Sequence, residues 1–407
     1  MLVASPGSDV ESLSQFNCLH VPRRTLGNVT LRNVRYDAPI ILFGITLKRQ
    51  MAQVGKLIQH ALAVRRLTGK PVLRQLKEIL SLSMGEYRLG MSEYYELGVF
   101  DDDAFSPDKK RDCIGWRASK TIDTRLNHNY WRATANDKVL NYALLQHYGY
   151  PAPETVATFS LLRRRVGHEI SLNTEGELEE FLTRTMPFPI FIKPIHGSYG
   201  RGTFLLNSYD AATRCFIDSH GKSLALAELM KACLTPQYAG MLFQKCLQPH
   251  DDVLEWIGST TSCVRVIVVV KQGTPKVHMA FWKVARARNI TDNFHMGSTG
   301  NLLAWIDKDS GRVTRVVTGL WPTGQDVTQH PDTAQELLGK TLPDWQKAMD
   351  MCASAALQFP GLRLQNWDVA FCKGGPVLME LNTEADLGVP QFLGRTPFVD
   401  DDIRGML

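Results

Sequence analysis

The alternation of apolar and polar positions gives the chain three textures. Leu47, Met51, Val54, Ile58 and Leu62 recur at helical spacing, with Lys48, Arg49, Lys56, Arg65 and Arg66 elsewhere and Gly69-Lys-Pro71 as a stop. This predicts an amphipathic basic helix, a second helix from Pro71 to about Leu82 and a third over Glu86–Leu97. Tyr87, Tyr94 and Tyr95 of the third read as core. Residues 1–37 are polar, contain Pro and Gly and lack periodicity, as a loosely docked arm would. Asp101–Asp103 and Ser106-Pro-Asp mark a boundary between about 100 and 112.

The second texture mixes helix and strand. Asn136 or Asp137 caps a helix whose apolar stripe is Val139, Leu140, Ala143 and Leu144, and Gly149 with Pro151 ends it. A strand near Thr155–Ser160, a helix opened by the capping box Thr174-x-x-Glu177 and a strand over Pro189–Lys193 follow. The third texture is strand after strand: Met241–Leu247, Ser262–Lys271, Pro275–Arg286, Asn301–Ile306 and Arg312–Val317, with a helix at Asp344–Leu357. Trp367–Cys372 and Pro376–Leu381 then form a hairpin through a Lys-Gly-Gly turn. The fold class is α+β.

Composition adds bounds. The 407 residues suggest two or three packed lobes, with 44% hydrophobic and 21% charged content ordinary for a globular protein. The longest apolar run, Ala38–Leu47, is too short to span a bilayer, and Met1–His20 lacks the basic cap and apolar core of a leader, so a cytoplasmic location is expected. Eight scattered cysteines without a Cys-x-x-Cys pair read as buried free thiols. Charge is uneven: residues 1–90 carry 13 Lys/Arg against 5 Asp/Glu. That lobe is either a solvated helix face or a surface for an anionic partner such as a glycan, a phosphorylated carrier or a membrane face.

Period two puts Asp368 of one hairpin strand and Glu380 and Asn382 of its neighbour on one face. Two carboxylates and an amide oxygen are hard ligands that suit Mg2+ completed by phosphate and water; ordinary exposed strand charges are the plainer reading. Upstream, an apolar strand ends in Lys193 and enters a loop with Gly197, Gly200 and Gly202, where backbone N–H groups can close over phosphate oxygens; a plain turn is the alternative. The strand Leu242–Leu247 breaks into Gln248-Pro-His-Asp251, and backbone groups at such a break can read an adenine edge.

The ordered phrases Asn136-Asp-Lys138, Lys193-Pro-x-x-Gly-Ser-x-Gly-x-Gly202, Cys263-Val-Arg265-Val, Asp292-Asn293-Phe, His330-Pro331, Leu342-Pro-x-Trp345, Trp367-Asp368-Val-Ala and Gly375-Pro-Val-Leu-Met-Glu380-Leu-Asn382 resemble the ATP-grasp superfamily. More narrowly they resemble its sugar-transfer-associated group, related to α-L-glutamate ligase-like proteins. The resemblance runs from about Trp131 to Gln391. It implies two α/β lobes clamping ATP, preceded by a mainly helical basic lobe. The expected segments are an arm over 1–37, the basic lobe over 38–110, a first subdomain with the glycine loop over 111–245 and a second with the Mg2+ site over 246–407.

By the same resemblance Lys138 and Lys193 hold the α- and β-phosphates, and the loop of His196, Gly197, Ser198, Gly200 and Gly202 closes over the triphosphate. Gln244, Lys245 and Leu247 lie against adenine and Asp251 meets ribose; the family often has Glu where Gln244 stands. Asp368, Glu380 and Asn382 ligate one or two Mg2+, for which Mn2+ can substitute. Arg265, Lys283 and Arg286 face the γ-phosphate and a carboxylate substrate. The implied reaction joins a small-molecule or carrier-bound carboxylate to an amine through an acyl phosphate. Phosphoryl transfer to another acceptor and nucleotide binding without turnover are the alternatives. No nucleic acid is expected as a partner.

Overall fold

The structure is a computed structural model that describes residues 38–164, 169–197 and 200–407, with side chains from residue 53 onward. By internal contacts the chain forms two compact units, Met1–Gly55 and Lys56–Leu407. The arm expected over 1–37 lies outside the described residues, as does Ser198.

Helices α1 (Ala38–Thr68), α2 (Val72–Met84), α3 (Met91–Glu96), α4 (Pro107–Arg111) and α5 (Trp116–Leu126) come first. Helix α3 is shorter than its periodicity predicts, because Gly85 leaves the helical region and the chain re-enters only after Gly90. Tyr87, Tyr94 and Tyr95 are buried, as expected. A short α6 (Ala133–Asn136) leads into α7 (Lys138–His147), which Asp137 caps by accepting the Leu140 N–H at 3.1 Å.

Strands β1 (Thr155–Phe159), β2 (Ile170–Leu172), β3 (Ile190–Pro194), β4 (Phe204–Asp210), β5 (Cys215–Asp218), β6 (Ser223–Ala225) and β7 (Met241–Lys245) form one sheet in the order β2-β1-β7-β3-β4-β5-β6. Helices α8 (Glu175–Glu180) and α9 (Leu226–Cys233) lie between its strands in sequence. The predicted capping box opens α8: Thr174 Oγ1 accepts the Glu177 N–H at 3.2 Å while Glu177 accepts the Thr174 N–H at 3.1 Å.

After α10 (Asp251–Ile257) a second sheet runs β11-β10-β9-β8-β12-β13, antiparallel throughout. Its strands are β8 (Cys263–Lys271), β9 (Thr274–Val284), β10 (Leu302–Ile306), β11 (Val313–Val317), β12 (Leu364–Cys372) and β13 (Gly375–Asn382). Helix α11 (Trp345–Ala356) precedes the β12–β13 hairpin, and α12 (Gly388–Gly394) and α13 (Asp401–Arg404) follow it. Gln272 and Gly273 both take positive φ, +50° and +79°, which a two-residue turn between right-twisted strands requires.

The second sheet is covered on both faces. Val264, Val266, Val268, Trp282 and Trp367 pack with Val139, Tyr142 and Leu145 of α7 and with Ala348, Met349 and Cys352 of α11. The alternate residues Ile267, Val269, Met279, Phe281 and Leu364 pack against Ile79, Tyr94, Tyr95, Ile122 and Phe392. The expected segmentation at 110 and 245 therefore differs from the packing. The helical segment from Lys56 onward shares a core with the second sheet, and α7 belongs to that sheet's other face. The buried stripe of α7 is also turned from the expected one: Val139, Tyr142 and Leu145 are buried while Leu140 is exposed.

Among the described cysteines, five are buried and two half-buried, all unpaired. No helix among the described residues is long and apolar enough to cross a membrane. Trp282 has no exposed surface; Trp282→Ala should cost about 4 kcal/mol in a urea titration. Leu338→Ala, at a position 39% exposed, should stay within about 0.5 kcal/mol of the parent.

Candidate functional site

One face of the second sheet changes character along its length. Where the helical segment covers it, the positions are Ile267, Val269, Phe281 and Leu364. Further along the same strands the alternation brings Cys263, Arg265, Lys283, Asp368 and Glu380 to that face, with Asp368 opposite both Arg265 and Glu380.

Asp368 is buried and forked by Arg265, whose Nε donates to Oδ1 at 2.8 Å and whose terminal nitrogen donates to Oδ2 at 2.7 Å. Lys283 donates to Oδ2 at 3.1 Å and the Asn382 amide to the same oxygen at 3.3 Å. Lys283 also pairs with Asp292 at 3.3 Å, and Asp292 accepts the Cys263 N–H at 2.8 Å. Burial raises the Asp368 pKa, but the charges of Arg265 and Lys283 outweigh it and hold the carboxyl well below the usual range. Burial lowers the Lys283 pKa, yet Asp292 and Asp368 reverse this and keep it a cation.

The first sheet supplies the opposite wall. Lys193, at the end of β3, is buried and donates to the Tyr142 hydroxyl at 2.6 Å; its ammonium lies 5.2 Å from that ring's centroid. Tyr142 in turn donates to the Met379 carbonyl at 2.6 Å. Met379 is the extra residue of a bulge, since Asp368 faces Glu380 while Val369 faces Leu378. The bulge brings Met379 into the pocket beside Glu380, where strict alternation had turned it away. Burial lowers the Lys193 pKa against the raising fields of Glu380, Cys263 and Asp368.

Helix α7 joins the two walls. At its N-terminus Lys138 donates to the Gly197 carbonyl at 3.0 Å and lies 3.8 Å from Glu380. The capping Asp137 pairs with Arg164 at 2.7 Å and lies 3.3 Å from His196 Nε2. Gly200 is needed for packing against the protein itself: at φ +68°, a Cβ there would come within 2.7 Å of Asn293 Nδ2. The glycine loop thus touches the 291–293 loop of the second sheet's side.

The pocket so formed is lined by Lys138, Lys193, Gly197, Gly200, Gln244, Lys245, Leu247, Lys283, Asp368 and Glu380. Its apolar lining includes Leu247, Cys263 and Met379, which pack with Ala370, Cys372 and Val377 behind them. Gln244 is buried and donates to Thr155 Oγ1 at 3.1 Å, and Lys245 pairs with Glu154 at 2.6 Å.

Other expected residues stand elsewhere. Asp251 does not line the pocket; it opens α10, exposed, 3.4 Å from Lys373, because the chain turns into a helix after β7. Arg286 is likewise outside, its fork held by Asp332 at 2.8 and 2.5 Å past the end of β9. Arg265 and Asn382 act behind the lining, through Asp368, and His196 and Gly202 flank the loop without lining the pocket. A role for Tyr142 was missed, although its spacing of four from Lys138 places both on one helix face. Arg201, Thr260 and Thr261, which also line the pocket, carry no distinctive sequence signal, whereas Asn293, also in the lining, belongs to the Asp292-Asn293-Phe phrase without a role having been read for it.

A family model described as sugar-transfer associated ATP-grasp matches residues 117–399. The chain belongs to the sugar-transfer associated ATP-grasp family. Among solved structures, this ATP-grasp chain is similar to biotin carboxylase from Campylobacter jejuni, with 12% identity, a TM-score of 0.39 and coverage of 72% of this chain and 50% of that one. It is similar also to the D-Ala:D-Ser ligase of Enterococcus faecalis, with 11% identity, a TM-score of 0.40 and coverage of 69% and 64%. For an L-amino acid ligase from Bacillus licheniformis the values are 11%, 0.33, 68% and 47%. The chain thus spans about half the length of two of these and under two thirds of the other. No curated protein matches it.

Glu380 makes only the 3.8 Å ion pair to Lys138 among the described residues, and the Asn382 Oδ1 is left over when its amide nitrogen turns to Asp368. Asp368 Oδ2 is saturated by three donors, while Oδ1 takes only the Arg265 Nε. No group of three His, Cys, Asp or Glu among the described residues is arranged to hold a metal. The oxygens therefore fit Mg2+ as a partial set that phosphate and water complete, with Glu380 the freest donor. Asp368, expected as a ligand beside Glu380 and Asn382, is also the counter-ion of two buried cations, Arg265 and Lys283.

Asp368→Asn should lower stability by about 3 kcal/mol, because it strands Arg265 and Lys283 in the interior, whereas Glu380→Gln should leave the urea midpoint nearly unchanged. Tyr142→Phe removes a hydroxyl shared by Lys193 and Met379. It should cost about 1–2 kcal/mol by the same titration and weaken binding of anionic nucleotide by calorimetry.

Proposed function

We propose that the chain is an ATP- and Mg2+-dependent carboxylate–amine ligase of glycoconjugate or secondary-metabolite biosynthesis. The observation that carries this reading is the convergence of Lys193 from one wall, Lys283, Asp368 and Glu380 from the other, and Lys138 from the helix that joins them, on a single pocket. Family membership supports it. Leu247, Cys263 and Met379 are an apolar seat for adenine, with Gln244 and Lys245 at its edge. Lys138 and Lys193 neutralise phosphate oxygens. Lys283 and, behind it, Arg265 keep positive charge where a carboxylate approaches the γ-phosphate, since two anions otherwise repel.

Glu380, with Asn382 and the Oδ1 of Asp368, would hold Mg2+, which would supply neutralising charge there. The carboxylate oxygen forms a bond to γ-phosphorus as ADP leaves. The amine nitrogen then bonds to the acyl carbon, phosphate leaves with the bonding pair, and the amine gives up a proton. The walls joined by α7 exclude the water that would hydrolyse the acyl phosphate. No protein nucleophile is needed.

The test is product analysis with ATP, Mg2+ and pooled carboxylates and amines. ADP and phosphate that form only when both co-substrates are present support the ligase; AMP overturns it. Glu380→Gln should lower turnover at least about a hundredfold while the protein stays folded. Lys193→Ala should raise the nucleotide Kd about 10- to 100-fold. Because the buried Lys193 has a lowered pKa and a cation is lost as pH rises through it, nucleotide affinity should fall below the ordinary lysine range near about 10.4. Calorimetry from neutral to alkaline pH, with Lys193→Ala showing no such fall, checks this.

A further inference from the structure

Helix α2 turns most of its apolar side chains outward. Beside Ile79, its one buried apolar residue, buried Gln75 donates to the Ala61 carbonyl at 3.1 Å and the Lys70 carbonyl at 2.9 Å and accepts the Tyr95 hydroxyl at 3.1 Å. Glu78, the helix's one acid, is drawn into a network with Lys70 at 3.0 Å, Lys110 at 3.0 Å and Tyr94 at 2.7 Å. Leu73, Leu76, Leu80 and Met84 are instead 66%, 52%, 58% and 72% exposed. At offsets of three, seven and eleven residues they fall within one narrow arc of a helix, a continuous outward apolar stripe. Single exposed leucines are ordinary, but four in a row on one helix are not.

The surroundings of the stripe are cationic. Residues 56–90 carry seven Lys/Arg and two Asp/Glu. Of the cations only Lys70 is buried; Lys56, Arg65, Arg66, Arg74, Lys77 and Arg88 are exposed. Helix α1 repeats the pattern, with Ile58 56% and Leu62 41% exposed and Arg65 and Arg66 following. Arg74 is offset by Glu78 at 3.2 Å and Asp102 at 3.0 Å, and Lys56 by Glu96 at 3.3 Å, which leaves Arg65, Arg66, Lys77 and Arg88 as outward cations without a carboxylate partner among the described residues.

We propose that this face docks on an anionic membrane surface, the α2 stripe entering the boundary between headgroups and acyl chains while the Lys and Arg residues meet lipid phosphates. An apolar helix face flanked by cations is the pattern of a helix lying in a bilayer interface. The stripe has no aromatic anchor and is convex, which suits fluid chains better than the pocketed hot spots of a protein interface. A second copy of the chain would bring a basic lobe against itself. The docking would hold the nucleotide site beside membrane-anchored acceptors.

The experiment is co-sedimentation of the full chain with vesicles of phosphatidylcholine alone or with about one third phosphatidylglycerol. The parent is expected to bind the anionic vesicles and to be released by salt. Leu76→Ser/Leu80→Ser is expected to lose about tenfold or more in affinity with unchanged circular dichroism. Arg65→Ala/Arg66→Ala is expected to weaken binding and flatten its salt dependence. Failure of the parent to bind anionic vesicles, or equal binding by the leucine variant, overturns the proposal. A dimer that the leucine variant dissociates, seen by sedimentation velocity, also overturns it and gives the stripe to a second copy.

Discussion

Asp368 takes hydrogen bonds from side chains on three other strands of its sheet: Arg265 on β8, Lys283 on β9 and Asn382 on β13. Such a carboxylate is costly to bury alone, and so are the two cations beside it; together they are tolerated because each satisfies the others. A buried ion cluster adds little net stability over an apolar core of the same volume. What it supplies is position. Lys283 is held at the pocket wall by two carboxylates, so its charge is already in place when an anion arrives, and little reorganisation is required at that moment.

The same economy appears in α7, which serves as core on one face and as chemistry on the other. Val139 and Leu145 lock the helix onto the second sheet. With the helix fixed there, Asp137, Lys138 and Tyr142 reach across to His196, Gly197 and Lys193 on the first sheet's side. Because Tyr142 also holds the Met379 carbonyl, a lysine of one sheet and the bulged strand of the other are set by a single hydroxyl. The glycine loop and the hairpin are therefore linked through α7, whose Lys138 meets Gly197 and Glu380 and whose Tyr142 meets Lys193 and Met379.

Much of this was legible in the sequence, and the legible part is local. The capping box at Thr174, the Asp137 cap, the β12–β13 hairpin and the shared face of Asp368, Glu380 and Asn382 follow from spacing and from the geometry of one or two adjacent elements. Lys193 at the foot of a glycine loop was visible for the same reason. Asp251 and Arg286 were misplaced because both lie one or two residues beyond a strand end, where the backbone changes direction and alternation no longer says where a side chain points. Met379 enters the pocket for a related reason, since a bulge resets the alternation and leaves no mark in composition.

By itself the sequence determined the elements, the order in which they carry charge and glycine, and the family to which the chain belongs, because these depend on periods of two and 3.6 residues and on ordered short motifs. The tertiary structure alone decided which charges meet. That Asp368 is the counter-ion of Arg265 and Lys283, that Tyr142 serves Lys193, and that α2 turns its leucines outward all rest on pairings between residues far apart in the chain. The physical reason is that a polar group's role is set by its partners and its burial, and both are properties of the packed molecule that no local spacing encodes.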